Sequence, residues 1–401
     1  MKPILGLLLS LSTVIGAQSP DPILERARQL ARQVIIVDGH VDVPYRIREK
    51  WEDVSTSAPG GEFDYPRARV GGLDAPFMAI YVPSEKEDNG AKALADTLIM
   101  FVENLARWHK DRFAMAATPA QVRANFAKGL ISLPMGMENG SPIERKLENV
   151  KYFADRGIRY ITLAHANANH ISDASYDSTR PWGGLSPFGE QVVIEMNRWG
   201  IMVDASHLTD AAVEDCLRVS QAPIIASHSS CRAFTPGFER NLSDELIKAI
   251  AAKGGVVMVN FGSSFLTARF REYEETARRE LMRLLRSKGL RFSDPRAQEL
   301  IKGYQREHPT PYATVADVAD HIDHIVRLTG IDHVGIGSDF DGVGDSLPVG
   351  LKSVADYPNL IEELLRRKYS DEDIKKICGE NLLRVWEANE EVAKRMQSGG
   401  K

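Results

Sequence analysis

Two apolar runs in this chain end in the same dipeptide. Ile201-Met202-Val203-Asp204-Ala205 leads into Ser206-His207, and Ala222-Pro223-Ile224-Ile225-Ala226 leads into Ser227-His228. Between them, residues 210–219 carry apolar side chains at helical spacing, so the segment reads as strand, helix, strand. Such a crossover makes the two strands parallel and brings both histidines to one edge of one sheet. Neutral imidazoles held side by side by rigid strands suit a transition metal. The alternative is two strand ends carrying unrelated core or surface histidines, and for either histidine alone that reading would be preferred. Other residues of the chain decide against it.

His40 and Asp42 stand two apart at the end of the run Val34-Ile35-Ile36-Val37, where an extended chain points both to the same side. Glu138 closes the apolar run that begins at Leu130. A carboxylate so placed needs a partner, either a metal or an arginine. His165 closes Ile158 to Ala164, and Asp339 arrives at the end of His333-Val334-Gly335-Ile336-Gly337-Ser338, where spacing alone does not separate it from Asp341. His109 lies in a polar stretch and reads as solvated. His170 takes no assignment, and His321 and His324, on a helix without an accompanying carboxylate-bearing strand end, read as surface residues.

The elements that must position these groups alternate. Strands end near His40, Val82, Glu138, His165, His207, His228, Phe261 and Asp339, mostly with helical segments between them. Eight parallel strands with intervening helices predict a closed (β/α)8 barrel, the TIM-like fold, whose active site lies at the C-terminal ends of the strands. Six of the eight strands deliver His, Asp or Glu at that end, whereas chance would scatter such residues over both ends. Residues 130–138 are expected to form one strand. Residues 267–307, dense in Arg and Glu, are expected to form a helical insertion over the rim after strand seven.

The 401 residues are 43% hydrophobic and 26% charged, with a formal net charge of -5. That balance suits a globular enzyme and offers no basic face for a nucleic acid. Met1-Lys2 precede an apolar run over residues 4–15 and the small residues Gly16-Ala17. A basic start, a short apolar core and small residues at a break form the pattern of a secretory signal, too short for a membrane span. The expectation is a signal peptide over 1–17, a single catalytic domain over 18–401, and an exported protein, periplasmic or extracellular. No cysteine follows the leader and the tail lacks an apolar segment, so no membrane anchor is expected. Three cysteines leave at least one unpaired. Cys216 and Cys378 read as small buried side chains; Cys231, three residues past His228, reads as that or as a metal ligand.

In chain order, Asp38-Gly39-His40-Val41-Asp42, Glu138-Asn139-Gly140, Thr162-Leu163-Ala164-His165, Val203-Asp204-Ala205-Ser206-His207, Ser227-His228-Ser229-Ser230, Arg240-Asn241 and Gly337-Ser338-Asp339-Phe340-Asp341-Gly342 resemble the membrane (renal) dipeptidase family of metal-dependent hydrolases. The resemblance implies two zinc ions, one held by His40 and Asp42, the other by His207 and His228, with Glu138 bridging. It implies a water between them that ionises near neutral pH and attacks the peptide carbonyl. Asp339, rather than Asp341, is implied as the shuttle that carries a proton from that water to the departing amine. His165 is implied to polarise the carbonyl, and Arg240 to pair with the substrate's terminal carboxylate. Mammalian members carry a Tyr beyond strand seven that helps hold that carboxylate; here Phe265 stands in its place.

The expected function is therefore a zinc dipeptidase that cleaves free dipeptides, including those with a C-terminal D-residue, and forms a homodimer as the resemblance implies. On the same metals, the alternatives are deacylation of N-acyl amino acids and opening of β-lactam rings. From another class comes a catalytically silent binding protein, against which the full set of His40, Asp42, Glu138, His207, His228 and Asp339 speaks.

Overall fold

A computed structural model describes residues 21–399; the expected signal peptide lies outside the described residues. Among the described residues ten strands form: β1 (Ile36–Val41), β2 (Leu73–Tyr81), β3 (Phe113–Met115), β4 (Ile131–Leu133), β5 (Met135–Glu138), β6 (Ile158–Thr162), β7 (Met202–Asp204), β8 (Ile225–Ala226), β9 (Val256–Val259) and β10 (Val334–Ile336). Eight of them close a parallel barrel in the order β1-β10-β9-β8-β7-β6-β5-β2. The seam is the pairing of β1 with β10, Asp38 opposite Ile336, continued by a bridge between Val41 and Phe340. The (β/α)8 expectation is met.

Three local expectations are corrected. Residues 130–138 are not one strand, because Pro134 has no amide hydrogen to give the ladder. Its carbonyl accepts from the Met78 amide at 2.8 Å, while β4 turns aside to pair with β3 in a separate two-stranded sheet and β5 joins the barrel. The last strand stops at Ile336, and the chain reaches Asp339 in the left-handed region (φ 62°), where no strand continues. His321 is buried, not at the surface: its Nδ1 accepts from the Cys231 amide (2.9 Å) and its Nε2 donates to the Leu266 carbonyl (3.0 Å).

Strand alternation sorts the apolar side chains into two layers. Val37, Ala75, Phe77, Tyr160, Met202, Ile225, Val256 and Met258 fill the barrel, and the last helix, Asn381–Gln397, adds Leu382, Leu383, Val385 and Trp386 to that cluster. Trp386 lies with its ring centroid 5.3 Å from that of Phe77. Ile36, Met78, Ile80, Met137, Ile161 and Val203 belong to the outer layer beneath the helices. Helix starts follow the side chains that cap them: Ser186 accepts from Gly189 N, Thr209 from Ala212 N and Ser243 from Leu246 N. The charged insertion forms two helices, Ala268–Ser287 and Pro295–Glu307. Among the described residues no helix is long and apolar enough to cross a membrane, and the three cysteines are buried and free.

Gly337 shows how tightly the active end is packed. A Cβ there would lie 2.0 Å from the backbone oxygen of Ser227, which cannot yield as a side chain would. Gly337→Ala is expected to lower stability by about 3 kcal/mol, read as a fall in the thermal unfolding midpoint, with loss of bound metal as the Ser227-His228 corner shifts.

Candidate metal centre

The side chains singled out from the sequence converge at the C-terminal end of the barrel. His40 leaves β1, Glu138 ends β5, and His207 and His228 follow β7 and β8. Glu138, 4% exposed, stands at the middle. Its Oε1 lies 2.9 Å from His207 Nε2 and 3.4 Å from His228 Nε2, while its Oε2 lies 3.4 Å from His40 Nε2. His40 Nε2 is also 3.2 Å from Asp42 Oδ2. Three groups of donors fall within 4.8 Å of one another: His40, Glu138 and His228; Glu138, His165 and His207; His40, Asp42 and Asp339. Cys231 is in none of them, its Sγ lying 3.7 Å from the His321 carbonyl oxygen.

Orientation comes from the layer below. Asp204, fully buried, accepts from the amides of Ser206 and Ser227 and from the hydroxyls of Ser227 and Thr162. Since the Ser227 hydroxyl gives its proton to Asp204 (2.6 Å), it can only accept from His228 Nδ1 (2.7 Å). That puts the His228 proton on Nδ1 and the lone pair on Nε2, facing Glu138. His40 Nδ1 pairs with the Tyr160 hydroxyl at 2.8 Å, and its Nε2 is buried without a hydrogen bond. Tyr160 fits inside the barrel because position 136 is glycine: a Cβ there would come 2.0 Å from the Tyr160 ring. Asp38 plays for β1 the part of Asp204, accepting from His40 N, Ser338 N and the Tyr357 hydroxyl.

The electrostatics match ligand chemistry. Burial, then the neighbouring Arg240 and His165 for His207, and His40 and Arg240 for His228, hold both imidazoles well below their ordinary pKa. Burial pushes Glu138 up, but the imidazoles around it outweigh that and hold it well below the carboxylate range. Burial raises Asp339 to about 7, with Asp42 and Glu138 adding to the rise and His40 opposing it. His207 Nε2 and His228 Nε2 lie 2.9 Å apart and converge on one carboxylate oxygen. Two neutral imidazole lone pairs converging on an ionised carboxylate suit a cation held between them. With the orphaned His40 Nε2, the donor set fits metal ions that take nitrogen and oxygen ligands.

Above this floor opens a cavity of about 660 Å³, with Asp42, Glu138, His165, His207 and Asp339 on its walls. Tyr81, Tyr176 and Phe265 line it as well; no pattern in the sequence marked the two tyrosines. His207 and Asp339 hold left-handed backbone (φ 69° and 62°), strain that the surrounding structure must sustain. Asn260 donates to Asp339 Oδ2 at 2.8 Å. Asp341 belongs to none of the donor groups; it is ion-paired to Arg46 (3.0 Å) and accepts from the Glu62 amide. Arg240 is not on the cavity wall. It is 2% exposed, donates to the Ser229 hydroxyl (2.8 Å) and the His228 carbonyl (3.0 Å), and has the Phe265 ring 5.2 Å from its Cζ. His170 is buried against Glu87 (2.9 Å), away from the centre.

A closed parallel barrel with imidazoles and carboxylates gathered at its C-terminal mouth defines a metal-dependent hydrolase. The chain matches the membrane dipeptidase family, peptidase family M19, over residues 24–400, and it belongs to that family. It is a metallopeptidase, a hydrolase acting on peptide bonds. A solved probable dipeptidase, PvdM from Pseudomonas aeruginosa, is similar at 28% identity and a TM-score of 0.79, over 94% of this chain and 100% of that one. A metallopeptidase from Rhodobacter sphaeroides, solved with a phosphinate mimic of the dipeptide L-Ala-D-Ala, is similar at 26% identity and a TM-score of 0.73, over 89% and 99% of the two chains.

If Tyr160 orients His40, Tyr160→Phe is expected to weaken metal binding by about 10- to 100-fold in a competition titration against a chelating dye, with the thermal midpoint of the metal-free protein little changed. An unchanged affinity would show that the Tyr160 hydroxyl does not orient the ligand.

Proposed function

We propose that the protein is a two-zinc dipeptidase of free dipeptides, accepting a D-residue at the C-terminal position. One observation carries this reading: the two oxygens of Glu138 face opposite ways, Oε1 toward His207 and His228 and Oε2 toward His40. A carboxylate so placed has one oxygen for each of two ions, with His40 and Asp42 completing one set and His207 and His228 the other. The D-residue preference draws on the relative solved with a mimic of L-Ala-D-Ala.

Zinc ions bound there would supply Lewis acidity and bring the ionisation of water to near neutral pH. The remaining roles fall to side chains of the chain. Asp339, fixed through Oδ2 by Asn260 and on the cavity wall, is placed to take a proton from the attacking water and hand it to the departing amine nitrogen. Burial lowers the pKa of His165, which therefore faces the cavity as a neutral imidazole able to donate to the carbonyl oxygen. Arg240, 5.2 Å from the Phe265 ring and absent from the cavity wall, supplies positive potential toward a substrate carboxylate. The signal-like leader supports export of the protein from the cytoplasm.

A second reading, deacylation of N-acyl amino acids, draws on the apolar character of that wall, where Phe265 and Tyr176 are each packed against Phe238 at centroid distances of 5.8 and 6.0 Å. Protein stripped with a chelator and restored with zinc is expected to release amino acids from L,D- and L,L-dipeptides and not from N-acyl amino acids. Asp339→Asn is expected to keep its zinc while turnover falls by about 100-fold or more. Release from the acyl substrates alone would favour the second reading.

A further inference from the structure

Tyr81 is the last residue of β2 and stands in register with Glu138 on β5. Its ring meets the His165 ring edge-on at 4.8 Å and the Tyr45 ring at 5.0 Å, so its direction is set by packing on both sides. It shares the cavity wall with His165, Glu138 and Asp339. The hydroxyls of Tyr160, Tyr357, Tyr152 and Tyr369 are each held by a protein partner, whereas that of Tyr81 makes no hydrogen bond to the described residues. A phenol placed among carboxylates keeps its proton near neutral pH and is a donor without an acceptor. Tyr176, the cavity phenol near His207, is half exposed, with its ring centroid 6.2 Å from that of His207; Tyr81 is the one against His165.

We propose that Tyr81 contacts the substrate, its hydroxyl donating a hydrogen bond to the oxygen of the carbonyl under attack, beside His165. The proposal rests on the dipeptidase reading above. As water adds to the carbonyl carbon, the C=O π pair moves onto that oxygen, and a donor already aimed there gains most when the negative charge appears. When the amine departs and the carbonyl re-forms, the charge leaves the oxygen and the hydrogen bond relaxes. No proton is transferred from Tyr81 at any step. A donor of this kind stabilises the transition state more than the bound substrate, so its loss falls on kcat and not on KM.

The test compares zinc-loaded wild type and Tyr81→Phe, which removes one oxygen and keeps the ring packed on His165 and Tyr45. Expected are a fall in kcat of about 10- to 100-fold, a KM within about twofold, an equal fall in affinity for a phosphinate dipeptide mimic by calorimetry, and unchanged zinc content and thermal midpoint. An unchanged kcat, or a rise in KM alone with phosphinate affinity intact, would overturn the proposal while leaving the dipeptidase reading in place. Wild type that neither cleaves dipeptides nor binds the phosphinate would overturn both.

Discussion

One ionised carboxylate, almost sealed from water, governs this structure. Glu138 sits among four imidazoles, and removing a charge from solvent is tolerated only where partners replace the lost hydration. His40 is one such partner, held well above its ordinary pKa against burial by Tyr160, Glu138 and Asp42, whereas burial keeps His207 and His228 neutral. Two neutral rings and a carboxylate oxygen converging within hydrogen-bond distance form a ligand set suited to cations.

The rest of the barrel serves that arrangement. Ser227 and Asp204 fix the tautomer of His228, Tyr160 holds His40, and Gly136 leaves the space in which the Tyr160 ring stands. Each support lies beneath the mouth, in the rigid part of the fold, where a change in packing moves a ligand atom. The cavity above is built differently. Its wall carries Tyr81, Tyr176 and Phe265, while the buried Arg240 guanidinium is not on the wall but stacks near the Phe265 ring.

Much of this was legible in the chain. Apolar runs closing on His40, Glu138, His165, His207, His228 and Asp339 placed the ligands on strand ends, because strand period and crossover handedness leave few alternatives. What was not legible depends on contacts between segments distant in sequence. Pro134 ends one strand and lets the next begin because the Met78 amide is there to use its carbonyl. His321 looks like a surface residue until Cys231 and Leu266, from elsewhere in the chain, close over it. Asp38 and Asp204 stood in plain view beside the histidines, yet their hydrogen bonds to Ser338, Tyr357, Ser227 and Thr162 exist only once the barrel closes. Tyr81 carried no spacing signal, since its meaning comes from the ring of His165, which follows another strand.

The account depends most on Glu138 holding two sites together, and metal content measures that directly. Wild-type protein and Glu138→Gln, each equilibrated with zinc over a range of free concentrations, would be compared by elemental analysis. The account predicts two ions per chain in wild type and a weakening of both sites together in the variant, because each loses the same bridging charge. A variant that keeps one ion at wild-type affinity and loses only the other would contradict the bridging role, and with it the reading of the site as one coupled centre.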